Sequence, residues 1–303
     1  QELGITLPHE HIFIDYRCIG SYSPVAELAY LRNAKVSCET IDLVRDNAHY
    51  CLDNLVLDNE QTLVDELRLF KYAGGNAIVS HTNFGLLPTP LKMQGISRET
   101  GLHIIVGTGY YRHFSQPENV LSMSSAVMAE EIIKSFEEGL YGTGIKPGII
   151  GEIGTSFPLH PFEERSLIAA AKAQTEIGLP ISVHPEIWER DHLRLLDILQ
   201  KSGADLERVA MCHMDEIVDS DWHIQVAKRG VYISFDTFGS EFSCDGVEEP
   251  KDSDRIDCLL WLLEKGYGNR ILLSHDICYK IQLKKFGGKG FAHILEAIVP
   301  KLR

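Results

Sequence analysis

Six side chains in this sequence have the types and the placing to hold metal ions. Pro8-His9-Glu10-His11, Glu152, His184, His213 and Asp276 each stand at the end of a short apolar run. Four imidazoles and two carboxylates are the nitrogen and oxygen donors that divalent cations take, in numbers sufficient for two ions. His9 and His11 are two residues apart, so on a strand both rings enter one interior, while Glu10 between them points the other way, towards surrounding helices. Glu152 closes Gly148-Ile149-Ile150-Gly151-Glu152, where a carboxylate among isoleucines is costly without a cation nearby, and its two oxygens can bridge two metals. His184 precedes Pro185-Glu186, and His213 precedes Met214-Asp215. Alone, either reads equally as a core histidine; at consecutive strand ends they form a set. In Ser274-His275-Asp276, alternation admits only one of the last two to the interior. Asp276 is nearer the mouth and supplies a terminal carboxylate able to act as a base, which leaves His275 facing the helix layer.

Strand ends that converge on one point are what a (β/α)8 barrel supplies. Apolar, β-branched runs at 5–7, 77–80, 104–107, 148–151, 181–183, 209–211, 231–234 and 271–274 predict eight strands. Helical patterns fall between and after them, at 60–73, 89–100, 118–139, 162–177, 189–202, 217–228, 253–265 and 290–302. Gly74, Gly178, Gly203 and Gly266 follow helical stretches, as left-handed C-caps do. The expected architecture is therefore an α/β TIM barrel forming a single domain over 1–303. One connection is anomalous: 16–58 is far longer than a usual βα loop and carries a short helical segment near 38–53. Such an insertion either walls the mouth or packs on the barrel side. Phe286-Gly287-Gly288-Lys289-Gly290 is a turn-rich break before the last helix.

Bulk composition narrows the function. With 303 residues and 44% hydrophobic side chains the chain can bury a large core. Its 43 acidic against 29 basic residues give a net charge of −14, which argues against a nucleic-acid partner. Seven dispersed cysteines without a CxxC pair suggest free thiols in a reducing compartment. No run approaches a membrane span and no signal peptide is visible. The expectation is a soluble cytoplasmic enzyme with a small-molecule substrate and no membrane partner. Of the other histidines, His49, His160, His192, His223 and His293 read as solvated or capping, and His103 precedes its strand at the wrong end for catalysis. His81 and His113 follow strands and could touch substrate.

These residues, in this order, resemble the phosphotriesterase family of the amidohydrolase superfamily. The likeness is carried by Gly4 to His11, Gly148 to Ser156, Val183-His184, Cys212 to Asp215, Ser234 to Gly239, Ser274 to Asp276 and Gly287 to Leu295, which together span nearly the whole chain. It implies a distorted (β/α)8 barrel with a binuclear centre in which His9, His11 and Asp276 hold the more buried metal and His184 and His213 the more exposed one. Much of the family bridges its metals with a carboxylated lysine from the fourth strand. Here Lys146 precedes that strand and Glu152 ends it, as in the phosphotriesterase homology branch with a bridging glutamate. Lactonases that act on acyl-homoserine lactones tend to carry an Arg after the seventh strand, where this chain has Asp236-Thr237-Phe238.

The implied function is a binuclear metal-dependent hydrolase attacking an ester-type bond with a metal-bridging hydroxide, and Asp276 as the catalytic proton acceptor. Zinc is the expected metal, with manganese or cobalt as substitutes. Asp215 could orient a ligand histidine. Substrate contacts are expected from Tyr110, Tyr111, Arg112 and Lys280, with a positive, amide-lined patch at the glycine-rich turn. Those cations point to a lactone, including a phosphorylated sugar lactone, with phosphotriesterase activity at most promiscuous. The alternatives are an organophosphate triesterase, a metal-dependent deoxyribonuclease, or a metal-holding binding protein without catalysis. Relatives are often dimers, so a homodimer is the carried-over expectation.

Overall fold

Eight parallel strands follow one another around a barrel in chain order: β1 (Thr6–Glu10), β2 (Ala77–Ser80), β3 (His103–Thr108), β4 (Ile149–Gly154), β5 (Ile181–His184), β6 (Val209–Met211), β7 (Tyr232–Phe235) and β8 (Ile271–Leu273). The computed structural model describes residues 3–303. Neighbouring strands pair in register, with Thr6 opposite Ala77, Ile78 opposite Ile104, Ile150 opposite Ile181 and Ile233 opposite Ile271. Parallel strands covered by helices need apolar residues on both faces, and Ile78, Ile150, Ile181, Val183, Val209, Met211, Ile233 and Phe235 are all buried. The fold is the expected (β/α)8 barrel in a single domain.

The seam between the first and last strands is unusual. Among the described residues no strand ladder joins β8 to β1. One backbone bond crosses it, from Asp276 N to His9 O (3.3 Å), and a side chain supplies the rest. Glu10 accepts hydrogen bonds at Oε1 from Ser274 Oγ (2.8 Å), His275 N (3.0 Å) and His275 Nδ1 (2.7 Å), and at Oε2 from Ile277 N (2.9 Å). Glu10 does leave the interior, as alternation requires, but it turns to the seam rather than to the helix layer. His275 lies outside the interior as expected, and its Nε2 accepts from Ile294 N at 3.1 Å.

Local chemistry explains most helix boundaries. Asn59 accepts from Thr62 N and caps the helix Glu60–Tyr72. His160 and Glu163 form a reciprocal cap on Pro161–Ile177, whose buried Ala169, Ala170, Ala171 and Ala173 let it lie close to the barrel. The single helix expected over 118–139 is two, Glu118–Leu121 and Ser125–Glu138, because Ser124 caps a fresh start by accepting from Val127 N. The last helix begins at Ile294 rather than near 290, since Gly290 N still bonds Gln282 O in the preceding turn.

The insertion walls the mouth. Ile14–Asp15 pairs antiparallel with Val56–Leu57, so the excursion leaves and returns at one place, and it carries the short helix Ile41–Asp46. It is tied to the connection after β7: Ala48 N donates to Ser243 O (2.9 Å), Ser21 Oγ to Asp245 Oδ1 (2.6 Å), and His49 Nδ1 meets Asp245 Oδ2 (2.8 Å).

Candidate metal centre

All six side chains converge at the C-terminal end of the barrel. His9 Nε2 lies 3.4 Å from Glu152 Oε2 and 3.4 Å from Asp276 Oδ1. His11 Nε2 lies 3.3 Å from Glu152 Oε1 and 3.3 Å from Asp276 Oδ1. Donor atoms about 2.1 Å from a tetrahedral cation are about 3.4 Å from one another, so these four side chains already have the edge length of such a site. On the other side of Glu152, its Oε2 is 3.1 Å from His184 Nδ1 and 3.8 Å from His213 Nε2. Glu152 thus faces two donor groups: its Oε1 meets His11, and its Oε2 lies between His9 and the His184–His213 pair.

Every imidazole is fixed through the nitrogen that points away from this centre. Asp236 accepts from His213 Nδ1 (2.9 Å) and His213 N (2.7 Å) with one oxygen, and its other oxygen lies 3.0 Å from His9 Nδ1, which also meets Cys212 Sγ at 3.2 Å. Thr82 Oγ1 donates to Phe13 O and therefore accepts from His11 Nδ1 at 2.9 Å. Tyr111 Oη meets His184 Nε2 at 3.2 Å and Tyr16 Oη at 2.6 Å. These contacts set tautomers that turn a lone pair from each ring towards the centre. His213 (φ 54°) and Asp276 (φ 50°) adopt left-handed backbone, which costs a non-glycine residue roughly 1 kcal/mol or more and persists where surroundings over-determine it. Here the restraints are His213 N on Asp236 and Asp276 N on His9 O.

The donor set fits divalent cations. Glu152, Asp236 and Asp276 bring three carboxylates into a buried site, and His9 Nε2 and Asp276 Oδ1 are buried without a hydrogen-bond partner. Burial pushes the Glu152 carboxyl up, yet His184, His11 and His213 outweigh it and hold the group well below the usual carboxylate range. Burial, reinforced by Arg112 and His213, pulls His184 down to about 3, leaving a neutral ring able to offer a lone pair. Burial also opposes charge on His11 and His213, but Asp276 and Glu152 on the first and Asp236 on the second raise both. The centre draws positive charge from every side.

Above it opens a cavity of about 330 Å³, lined by His184, His213 and Asp276 at its floor and by Tyr16, Ile19, His49, Arg112, Trp188, Phe242 and Tyr279 among its walls. Of the expected substrate contacts only Arg112 lines this space. Adjacent residues after a strand face opposite ways, so Tyr110 packs outward against Phe84 and Phe162 while Tyr111 turns in and stands behind His184. Lys280 pairs with Asp53 at 2.9 Å, outside the cavity. The glycine-rich turn offers no amide patch: Gly287, Gly288 and Gly290 donate to Lys284, Leu283 and Gln282 carbonyls, and Glu66 takes Lys284 N and Lys285 N. Among the described residues Arg112 is therefore the one Arg or Lys on the cavity wall.

Other expectations change as well. Asp215 accepts from Asp236 N, Thr237 N and Thr237 Oγ1 and pairs with Arg255; the histidine it was expected to orient is held by Asp236. His81 stacks on His9 (4.0 Å) and bonds Pro8 O, beneath the centre rather than at the mouth. His113 bonds Glu163 and stacks on His160. His192, His223 and His293 are buried rather than solvated, and His49 stands on the cavity wall. Asp236 was legible as a carboxylate directly after an apolar strand, the signal that singled out Glu152. Tyr16, by contrast, lies in the insertion and carried no signal.

Comparison with known proteins agrees with this geometry. A family model described as the phosphotriesterase family matches residues 1–303. An N-acetyltaurine hydrolase from Dictyostelium discoideum is 39% identical, the match covering 100% of this chain and 88% of that protein. A resiniferatoxin-binding protein from Rhodobacter sphaeroides superposes with a TM-score of 0.97 at 38% identity, covering 99% of this chain and 85% of the other. A lactonase from Listeria monocytogenes superposes with a TM-score of 0.79 at 27% identity, covering 99% and 86%.

Proposed function

The chain belongs to the phosphotriesterase family, and on that premise we propose that it is a metal-dependent hydrolase that cleaves an acyl bond in a small anionic substrate. One observation carries this reading: the six donor side chains meet around unpartnered inward atoms, directly under a cavity whose one fixed Arg or Lys is Arg112. His9, His11 and Asp276 would hold one divalent cation, His184 and His213 a second, and Glu152 would touch both. Zinc, with manganese or cobalt as substitutes, would supply Lewis acidity towards the carbonyl oxygen and lower the pKa of water towards about 7.

The chain's own residues account for the remaining work. The Asp276 side chain is 17% exposed, against 8% or less for the other five, so it is the carboxylate in reach of both water and substrate. It takes the proton released as water adds to the carbonyl, then returns it to the leaving group. Asp236, Thr82 and Tyr111 keep the imidazoles in place during that transfer. Arg112 is pinned by Pro185 O (3.3 Å) and Glu186 (3.2 Å), and it orients the anionic end of the substrate.

The activity named for the Dictyostelium relative favours an amide with an anionic tail as the substrate. A lactone is the second reading, favoured by the Listeria structure. Its phosphorylated form is less well supported, because Lys280 and the glycine-rich turn do not reach the cavity. An uncharged organophosphate would leave Arg112 unmatched. We carry forward a cytoplasmic setting, a small-molecule substrate and a homodimer; among the described residues no helix is long and apolar enough to cross a membrane. The test is a panel of N-acetyltaurine, N-acetyl-β-alanine, sugar lactones with and without phosphate, and paraoxon, assayed with zinc- or manganese-loaded protein. Turnover of the anionic amides above the others is expected. No turnover of any acyl compound above the D276N background would favour the binding-protein alternative and overturn the proposal.

A further inference from the structure

A second charged group lines the same cavity and has no part in the steps above. Glu216 and Glu249 both face it, and their carboxyl groups approach the same nitrogen, Arg255 Nη2, at 3.4 and 3.8 Å. Glu216 is 8% exposed. Oε2 of each residue is buried with no hydrogen-bond donor. Beneath them the fully buried Arg255 is one cation shared among four carboxylates: Asp215 (3.2 Å), Glu216 (3.4 Å), Glu249 (3.8 Å) and Asp252 (3.9 Å). Asp215 and Asp252 have further donors in Thr237 and His293. Glu216 and Glu249 do not, so each keeps one carboxylate oxygen without the N–H or O–H that would satisfy it.

We propose that Glu216 and Glu249 form a subsite for a primary ammonium group, and that it receives the amine released when the acyl bond is cut. The inference rests on the hydrolase reading and selects the amide within it. Water adds its oxygen to the carbonyl carbon, the C–N bond breaks, and the nitrogen takes one hydrogen from water and the proton of the new carboxylic acid. The products are a carboxylate and an ammonium ion. Opening a lactone instead yields a carboxylate and a neutral alcohol, and an acidic wall repels the first without attracting the second. An ammonium brings three N–H donors to two cavity-lining carboxylates that otherwise share one cation. With Arg112 on the same cavity for the anionic end, the released molecule is a zwitterionic amino acid. Burial and the neighbouring Glu216 push the Glu249 carboxyl up, the direction expected of an acid with too few donors around it.

The test is calorimetric binding to the zinc-loaded full chain with three probes of one carbon-chain length: β-alanine, 3-hydroxypropanoate and propanoate. β-Alanine should bind about tenfold or more tighter than the other two, as expected for a charged donor meeting buried acceptors. Glu216→Gln and Glu249→Gln should each remove most of that advantage while leaving propanoate within about twofold. Glu249→Asp, which keeps the charge but withdraws the oxygens, should fall between and covers the case in which Glu216→Gln unfolds as Arg255 loses a partner. Equal binding of the three probes by the wild-type chain, or an ammonium advantage that survives every variant, overturns the subsite. Neither result bears on the hydrolase reading, which the substrate panel decides separately.

Discussion

Glu10→Gln isolates the seam of the barrel. The substitution keeps size and shape, and an amide oxygen can still accept from Ser274 Oγ, His275 N and His275 Nδ1 at the Oε1 position. The amide NH2 must then face Ile277 N, which donates to Oε2 in the native chain. One charge-assisted bond becomes a confrontation of two buried donors, and three others lose their charge. A lost bond of this kind is worth about 1.5–3 kcal/mol and an unsatisfied buried donor about 1–3, so a loss of about 3–5 kcal/mol is expected. At roughly 2–3 °C per kcal/mol for a chain of this size, Tm should fall by about 6–15 °C in scanning calorimetry of the metal-free protein. His275 also receives the first amide of the final helix, and Asp276 is the next residue, so zinc affinity measured by chelator competition should fall with Tm. A Tm shift under about 2 °C, with metal affinity intact, would show that the seam is held by strand packing and that Glu10 is incidental.

Four further outcomes follow from the same contacts. Asp276→Asn should lower kcat by about 10²–10⁴ while leaving KM within a few-fold, with metal content checked alongside; near-normal turnover would remove Asp276 as the proton acceptor. Asp236→Asn should weaken retention of both metal ions together, by about 10- to 100-fold, because one carboxylate touches an imidazole from each donor group. Loss of a single ion in elemental analysis would contradict that coupling. Arg112→Met should raise KM for anionic amides about tenfold or more and spare uncharged esters, and equal effects on both would place the anion elsewhere. Burial raises the Glu163 carboxyl, but bonds from Ser156 and His113 outweigh it and hold the group below its ordinary value. Its contribution to stability is therefore present above about pH 4.5 and lost as pH falls through the lowered folded value, so the gap in denaturation midpoint between wild type and Glu163→Gln should narrow below about pH 4. A gap constant from pH 7 to pH 3 would deny the depressed value.

The eight strands, their order and the interior placing of the six converging side chains were legible in the sequence because they depend on short-range rules. Apolar runs mark strands, alternation assigns each strand residue a face, and a polar residue at the end of a buried run is there for a reason. These rules placed His9 and His11 in one interior and sent Glu10 out of it. They could also have recognised Asp236 and separated Tyr110 from Tyr111, had alternation been carried one residue past the strand. Tertiary packing alone decided which distant groups meet. Glu10 finds Ser274 and His275 across the seam, His49 finds Asp245 at a separation of 196 residues, and Lys280 turns away to Asp53. Glu216 and Glu249 come to line one cavity only when the connections after β6 and β7 fold over it. The physical reason is the range of the forces involved. Backbone geometry orients a side chain from its immediate neighbours, whereas the partner of a buried donor or charge is chosen by whichever loop the closed barrel brings within about 3 Å.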